Sequence, residues 1–295
     1  MLHYHEIAAG PDLMVARWVC TLPAGRGAPE LTTGFEVVLP TGGAFIRWSP
    51  AGRHLADANT ALFLHPDQEQ EIIHPGAEGD RGLFVRLSPR LMEDLTGDAP
   101  AGRSSRPGFP APTAALDGRD VVVHELAARF GSRSWSAIGL EAVLLELIRG
   151  LVARSPQAIP PGAAERIDHA REILARAWRE PPSLVALARQ VGCSPFHLSR
   201  RFRHRTGMTI GRYLQLLRLR AAARRVCEGS GTIAAAAFDA GFASHGHLTD
   251  LMRRRCGFLP SDLRGFRDVD RALGRLVSRG RPLKGTGGGP QAGDA

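Results

Sequence analysis

Apolar residues recur at helical spacing in the C-terminal third of the chain, and the arrangement occurs twice. Ser183 precedes Leu184, Leu187, Ala188 and Val191, an i, i+3, i+4, i+7 stripe. Gly192 follows, where the chain turns and a residue free to take positive φ is favoured. Ser194 and Pro195 then open a second helix, Ser at the cap and Pro at the first position, where a missing N–H costs nothing. Leu198 and Phe202 point inward, leaving Phe196, His197, Ser199, Arg200, Arg203 and His204 outside. About 50 residues on, a spacing at which duplicated units occur, the pattern returns. Thr232 caps Ile233, Ala236, Ala237 and Ala240; Gly241 turns; Ser244 caps a helix anchored by Leu248, Leu251 and Met252. His245, Gly246, His247, Thr249, Asp250 and Arg253 are left outside. Each copy has the outline of a helix-turn-helix, whose second helix can enter the major groove of DNA. One copy alone would read equally well as an αα-hairpin. Two in register, both with an arginine-bearing second helix, argue against that.

Between the copies, Ile210, Tyr213, Leu214, Leu217 and Ala221 predict a helix over Thr209 to Glu228. At 1.5 Å per residue it is roughly 28 Å long, which suits two reading helices about one DNA turn, ~34 Å, apart.

The N-terminal part has a different rhythm. Short runs at Gly34–Leu39, Ala44–Trp48, Ala61–Leu64, Glu71–His74 and Leu83–Leu87 alternate with Gly, Pro and Asp, predicting a β sandwich or barrel over residues 1–115. Its inward side chains, Phe35, Phe45, Trp48 and Phe63 among them, are candidates for a ligand pocket and equally for plain core. Pro100 to Pro112 reads as a loop. Helices are predicted over Asp120–Phe130 and Ser136–Ala153, within a helical linker segment at 116–162. Leu140, Leu144, Leu147 and Leu151 form a narrow seam that suits either a dimer partner or the chain's own β domain. Ser155 to Gly162, with its three prolines, reads as a linker. A helix over Ala163–Arg179 opens an all-α domain at 163–267, and 268–295 is predicted to be a disordered tail.

Charge separates the halves. Of the formal +9 carried by 295 residues, roughly +11 falls between Gly162 and Arg267 and roughly −4 before Gly162. A basic module joined to a mildly acidic one fits a nucleic-acid binder attached to something else. The four cysteines, Cys20, Cys193, Cys227 and Cys256, form no Cys-x-x-Cys pair, which argues against a zinc site or disulfide framework and fits a reducing cytoplasm. They read as small buried hydrophobes rather than thiol sensors. His54, His65 and His74, with Glu69 and Glu71 nearby, are metal candidates, but no His-x-His pair sits on one strand, so no metal or cofactor is expected. Met1 to Gly10 lacks the apolar core of a signal peptide, and no stretch reaches the length of a membrane span.

The segment from Ile167 to Arg264 resembles the DNA-binding domain of the AraC/XylS-type transcriptional regulators. The resemblance rests on the first helix-turn-helix, on Tyr213-Leu214 and Leu217-Arg218-Leu219, on Ala237 to Phe242, and on Gly257-Phe258-Leu259-Pro260 with Arg264. Asp57 to Ser88 resembles the cupin-like sensor half of some of these regulators. Leu263 and Met252 stand where members often have an aromatic, and Asp250 where many have Arg. The resemblance implies a two-domain α+β protein: a cupin-like N-terminal β domain, a helical linker, and a C-terminal all-α domain with two helix-turn-helix units. It further implies a sequence-specific transcriptional regulator, an activator by the family's commoner habit. Its partners would be double-stranded DNA, a small-molecule effector, RNA polymerase and a second copy of itself, in the cytoplasm at the nucleoid. The DNA-binding candidates are Phe196, His197, Ser199, Arg200, Arg203 and His204 in the first unit, and His245, His247, Thr249 and Arg253 in the second; of these Phe196, Ser199, Arg200, Arg203, His245, His247 and Thr249 are the expected base readers. Two other readings compete: a cupin metalloenzyme with a helical extension, and a non-specific DNA binder.

Overall fold

Alternating side chains build the N-terminal half. The computed structural model describes residues 2–50, 52–76, 79–96, 108–129, 137–154, 164–229 and 231–264. Its strands are β1 (Leu2–Ala9), β2 (Leu13–Cys20), β3 (Gly25–Arg26), β4 (Glu30–Leu31), β5 (Phe35–Gly42), β6 (Ala44–Ser49), β7 (Gly52–Asp57), β8 (Thr60–Leu64), β9 (Glu69–His74), β10 (Asp80–Leu87) and β11 (Thr113–Ala115). They form a six-stranded sheet, β1-β2-β10-β5-β8-β11, and a second sheet, β3-β9-β6-β7, with β4 also paired to β9. The two lie face to face as a sandwich. The expected runs fall in β5, β6, β8, β9 and β10, with Gly34 just outside β5; the runs named did not include β1, β2, β7 or the short β3, β4 and β11.

Both faces of the six-stranded sheet are covered. Val37, Leu39, Phe63, Leu83 and Val85 point away from the second sheet into a core shared with helices. Trp18 and Leu62 point the other way, toward Phe45 and Ala56. The helices are α1 (Pro89–Thr96), α2 (Gly118–Ala127), α3 (Ala137–Arg154), α4 (Ala164–Arg176), α5 (Leu184–Gln190), α6 (Pro195–Thr206), α7 (Ile210–Glu228), α8 (Ile233–Asp239), α9 (His245–Cys256) and α10 (Pro260–Arg264). Asp117 opens α2 with a capping box closed by Asp120. The helix then buries Val121, Val122 and His124 on opposite sides, because it lies between the sheet and α7, with α9 beyond.

The halves are joined by buried polar contacts as well as apolar ones. The turn from β7 to β8, which links the two sheets, grips α4 and α7. Arg171 donates from Nε to Asp57 Oδ2 at 2.8 Å and from Nη2 to Thr60 Oγ1 at 2.6 Å. The Tyr213 hydroxyl donates to the same Asp57 oxygen at 2.8 Å, and Asn59 Nδ2 donates to the Tyr213 carbonyl at 3.0 Å. Burial depresses the Arg171 guanidinium, but Asp57 and Asp168 outweigh it and hold the group above its ordinary value. Burial and the Asp57 charge hold the Tyr213 hydroxyl well above its own. Further along α7, Arg220 donates to the Ala58 carbonyl at 2.5 Å, and Arg224 donates to Glu125 at 2.8 Å. Burial brings Arg220 down to about 10 against the pull of Glu125. Burial and Arg220 together keep His124 neutral, so its Nδ1 can accept from Arg220 Nη1 at 3.1 Å.

Two alternatives left open by the sequence are decided by the packing. Leu140, Leu144, Leu147 and Leu151 are buried in the chain's own core, where α3 packs on α2 and β11; the seam is not free for a dimer partner. Phe35 and Phe63 do not line the inter-sheet space; they pack with Phe109 on the helix-covered face, Phe63 stacked on it at 4.6 Å. Trp48 is exposed, and Phe45 alone of the four faces the second sheet's partner. The proline linker, the tail and most of the Pro100–Pro112 loop lie outside the described residues. Among the described residues no helix is long and apolar enough to cross a membrane.

Leu144→Ala should therefore cost about 2–5 kcal/mol of unfolding stability and leave the native molecular mass by sedimentation unchanged. A halved mass with little loss of stability would restore the seam to a dimer role.

The Asp120 carboxyl is pushed up to about 6 by burial and by Asp117, against the pull of Arg154. Unfolded, it titrates near ~3.9. The folded state thus holds the extra proton, and the stability this confers is full below about pH 4, declines as pH rises, and is gone above about pH 6. Denaturation of Asp120→Asn across this range should show a correspondingly less negative slope of stability against pH; an unaltered slope would mean that Asp120 stays ionised when folded.

Candidate nucleic-acid interface

The duplicated pattern folds as two copies of one device. Ser183 accepts from the Ala186 N–H at 3.2 Å and Thr232 from the Ala235 N–H at 3.0 Å, opening α5 and α8. Gly192 and Gly241 turn the chain at φ 67° and 77°. The next N–H but none intervening returns to the small alanine of the first helix: Cys193 to the Ala188 carbonyl at 3.0 Å, Phe242 to that of Ala237 at 2.9 Å. Ser194 and Ser244 then cap α6 and α9, accepting from the N–H groups of His197 and His247 at 3.3 and 3.1 Å. Gly207 and Gly257 close both helices in the left-handed region. Leu198, Phe202, Leu248 and Met252 are fully buried, which fixes the rotation of α6 and α9 and decides what each presents.

On α6, Phe196, His197, Ser199, Arg200, Arg203 and His204 are all exposed. Phe196 is 72% exposed, with its ring against His197 at 6.0 Å. Arg200 and Arg203 form no ion pair among the described residues and are available to an anion. Arg205, from the same helix, lies on the other side, half-buried and 3.9 Å from Asp168.

The second face is more self-contained. His245, His247 and Arg253 are exposed, Thr249 and Asp250 half-buried. The Thr249 hydroxyl donates back to the His245 carbonyl at 2.9 Å, and the His247 ring lies edge-on to Phe242 at 5.4 Å. Asp250 receives bonds from Arg253 and, at 3.3 Å, from Arg254. The carboxylate thus occupies arginines of its own helix before any DNA arrives.

Two of the cysteines are poorly placed to react as thiolates. Cys256 is buried, its Sγ directed at the Gly118 carbonyl at 3.2 Å, and burial pushes both its thiol and that of Cys227 up to about 12. The three histidines singled out in the sequence do not meet one another, but His74 lies with Cys20 and Asp80 in a buried group whose ligand atoms are all within 4.8 Å of one another, a set that could hold a metal ion. His65 packs against Phe35 and Phe109, and His74 contacts Asp80 at 2.9 Å and Cys20 at 3.6 Å. Sequence reasoning missed Arg47, Gln70 and Asp80 between the sheets. The available signal was a charged or amide residue at an inward register position, Arg47 two after Phe45 on one strand.

A family model described as a helix-turn-helix domain matches residues 187–265. The chain is 40% identical over 165 residues to the regulatory protein PchR of Pseudomonas aeruginosa, an alignment covering 56% of this chain and 49% of that one. It is 30% identical over 129 residues to the HTH-type transcriptional activator RhaS of Escherichia fergusonii, covering 44% and 46%. A solved structure of ToxT from Vibrio cholerae is similar with a TM-score of 0.37 and 10% identity, covering 85% of this chain and 97% of that one. The chain spans about half the length of the curated relatives it matches.

Removing the Asp250 carboxylate should free its arginine partners. Asp250→Ala should tighten binding to random duplex and steepen the plot of log affinity against log salt by about 0.9 for each phosphate newly contacted. An unchanged slope would show that Arg253 and Arg254 do not reach the backbone.

Proposed function

We propose that the chain is an AraC/XylS-type transcriptional regulator, its helix-turn-helix model match at residues 187–265 and its similarity to PchR and RhaS supporting this, and that it is a sequence-specific DNA-binding regulator of transcription whose β domain senses a small molecule. The observation that carries the DNA-binding half is the exposed face of α6, where Phe196, Ser199, Arg200 and Arg203 surround a fully buried Leu198–Phe202 anchor. Arg200 is the strongest candidate for base reading, because its fork matches the O6 and N7 acceptors of guanine. His197 and His204 flank it. On α9, His245, His247 and Thr249 read more weakly, and Arg253 serves the backbone once released from Asp250. Arginines of both units supply the salt-dependent part of the affinity.

The sensing half is supported by a cavity of about 340 Å³ between the two sheets, within the range of small-molecule sites. Activation is supported by the description of RhaS as a transcriptional activator, and RNA polymerase is the partner that role requires. A cytoplasmic location follows from the work itself. The cupin-metalloenzyme alternative would have to place its metal at Cys20, His74 and Asp80, and it predicts bound metal and turnover without DNA. The non-specific reading is disfavoured by Phe196, since an exposed ring adds nothing to phosphate binding.

Selection of bound duplexes from a random pool supplies a test site. On it, Arg200→Ala should cost ~1–3 kcal/mol and relax one base position, while binding to random duplex changes little. Equal losses on both would make Arg200 a phosphate contact and leave sequence reading without its principal residue.

A further inference from the structure

The inter-sheet cavity is lined by aromatic and aliphatic side chains, among them Trp18, Phe45, Leu62 and Phe84, together with a few charged groups. The acids among these are accounted for. Glu36 receives two bonds from Arg86 at 3.2 and 3.1 Å. Asp80 receives the Trp18 indole N–H at 2.8 Å and lies 2.9 Å from His74 Nδ1. Glu30, at the exposed rim, accepts from Gln70 Nε2 at 3.1 Å.

Arg47 is different. It is 1% exposed, and its bonds go to neutral amides, from Nε to Gln70 Oε1 at 2.6 Å and from Nη2 to Gln68 Oε1 at 2.9 Å. No carboxylate among the described residues forms an ion pair with it. Burial lowers its proton affinity with no acid opposing. A guanidinium does not give up its proton in a protein, so the charge stays. A buried charge is costly unless paired. The two glutamines fix the plane of the guanidinium while leaving it uncompensated beside a mostly apolar cavity.

We propose that Arg47 is the anchor of an anion site, and that the ligand of the β domain is a small, largely apolar molecule carrying one carboxylate, whose oxygens pair with the guanidinium while its hydrocarbon or aromatic part lies against Trp18, Phe45 and Phe84. This rests on the reading of the β domain as a sensor and names the chemistry it senses. A neutral ligand of the same shape leaves the buried charge unpaired and so forgoes the main polar gain. Lysine in place of Arg47 keeps the charge but loses the planar, two-toothed geometry that carboxylates favour.

The test uses the full-length protein and a graded series of phenylalkanoates, from phenylacetate to 6-phenylhexanoate, each compared with its own amide by titration calorimetry. At least one acid should bind about 10- to 100-fold more tightly than its amide, the ratio expected for hydrogen bonds to a charged partner. In Arg47→Gln the preference should collapse to within about 2-fold, and in Arg47→Lys it should be intermediate. Thermal melts of the unliganded variants show whether each is folded, and Arg47→Lys carries the comparison if Arg47→Gln is not. Amides that bind as tightly as acids, acids that bind Arg47→Gln unchanged, or no binding by any acid of the series would each overturn the anion site. Binding to the selected DNA, measured with and without the best ligand, separates the two claims. Acids that bind through Arg47 without altering DNA affinity uphold the anion site and remove the sensing role. Amides that bind and alter DNA affinity uphold sensing and remove the anion site.

Discussion

A buried carboxylate, Asp57, holds the molecule together. It sits at the turn between β7 and β8 and takes charge-assisted bonds from Arg171 of α4 and the hydroxyl of Tyr213 of α7. None of the three groups has water to fall back on. Each is therefore tolerable only because the others are in place, and breaking such a set by removing one member typically costs about 3–5 kcal/mol. Around it the same turn adds the Ala58 carbonyl, Asn59 and Thr60 as partners of Arg220, Tyr213 and Arg171. Charges that would be costly to bury alone become the specific connection between the halves.

The position of that turn matters for function. It is the link between the two sheets, and the space between those sheets is the cavity. Its partners, α4 and α7, carry the helix-turn-helix units: α4 packs on α5 and α6, and α7 packs on α8 and α10. Helix α2 adds a second contact, from the six-stranded sheet to α7 and α9. A ligand changes DNA affinity only by binding two states of the protein unequally. In this architecture the segment Asp57 to Thr60 joins the sheets to α4 and α7, and α2 joins the six-stranded sheet to α7 and α9.

The helix-turn-helix units were legible in the sequence because their determinants are local. Caps at Ser183, Ser194, Thr232 and Ser244, turns at Gly192 and Gly241, and four-residue anchors such as Leu198–Phe202 each act within a few residues, and all were readable by spacing. The β domain was legible only in rhythm. Alternation assigns residues to two faces but does not say which face meets the other sheet. Here both faces of one sheet are covered, so Phe35 and Phe63 had the same pattern as pocket residues and turned out to pack on Phe109. The leucine seam of α3 stayed ambiguous for a related reason: a narrow apolar stripe is the same whether its partner is another chain or β11 and α2. Asp57, Arg171 and Arg220 were invisible, since an ionisable residue in a helix or turn reads as surface until tertiary structure buries it. Arg47 left a trace, a charge at an inward strand position.

The account depends on α6 and α9 reading sequence rather than merely attracting phosphate. The most direct measurement is competition between a duplex selected from a random pool and an unselected duplex of equal length, across a salt series from low to physiological. The account predicts a preference for the selected duplex that survives at physiological salt, because base contacts are not counterion exchange. Affinities that are equal at every salt concentration and fade together would contradict it, leaving only the electrostatic attraction of a basic surface.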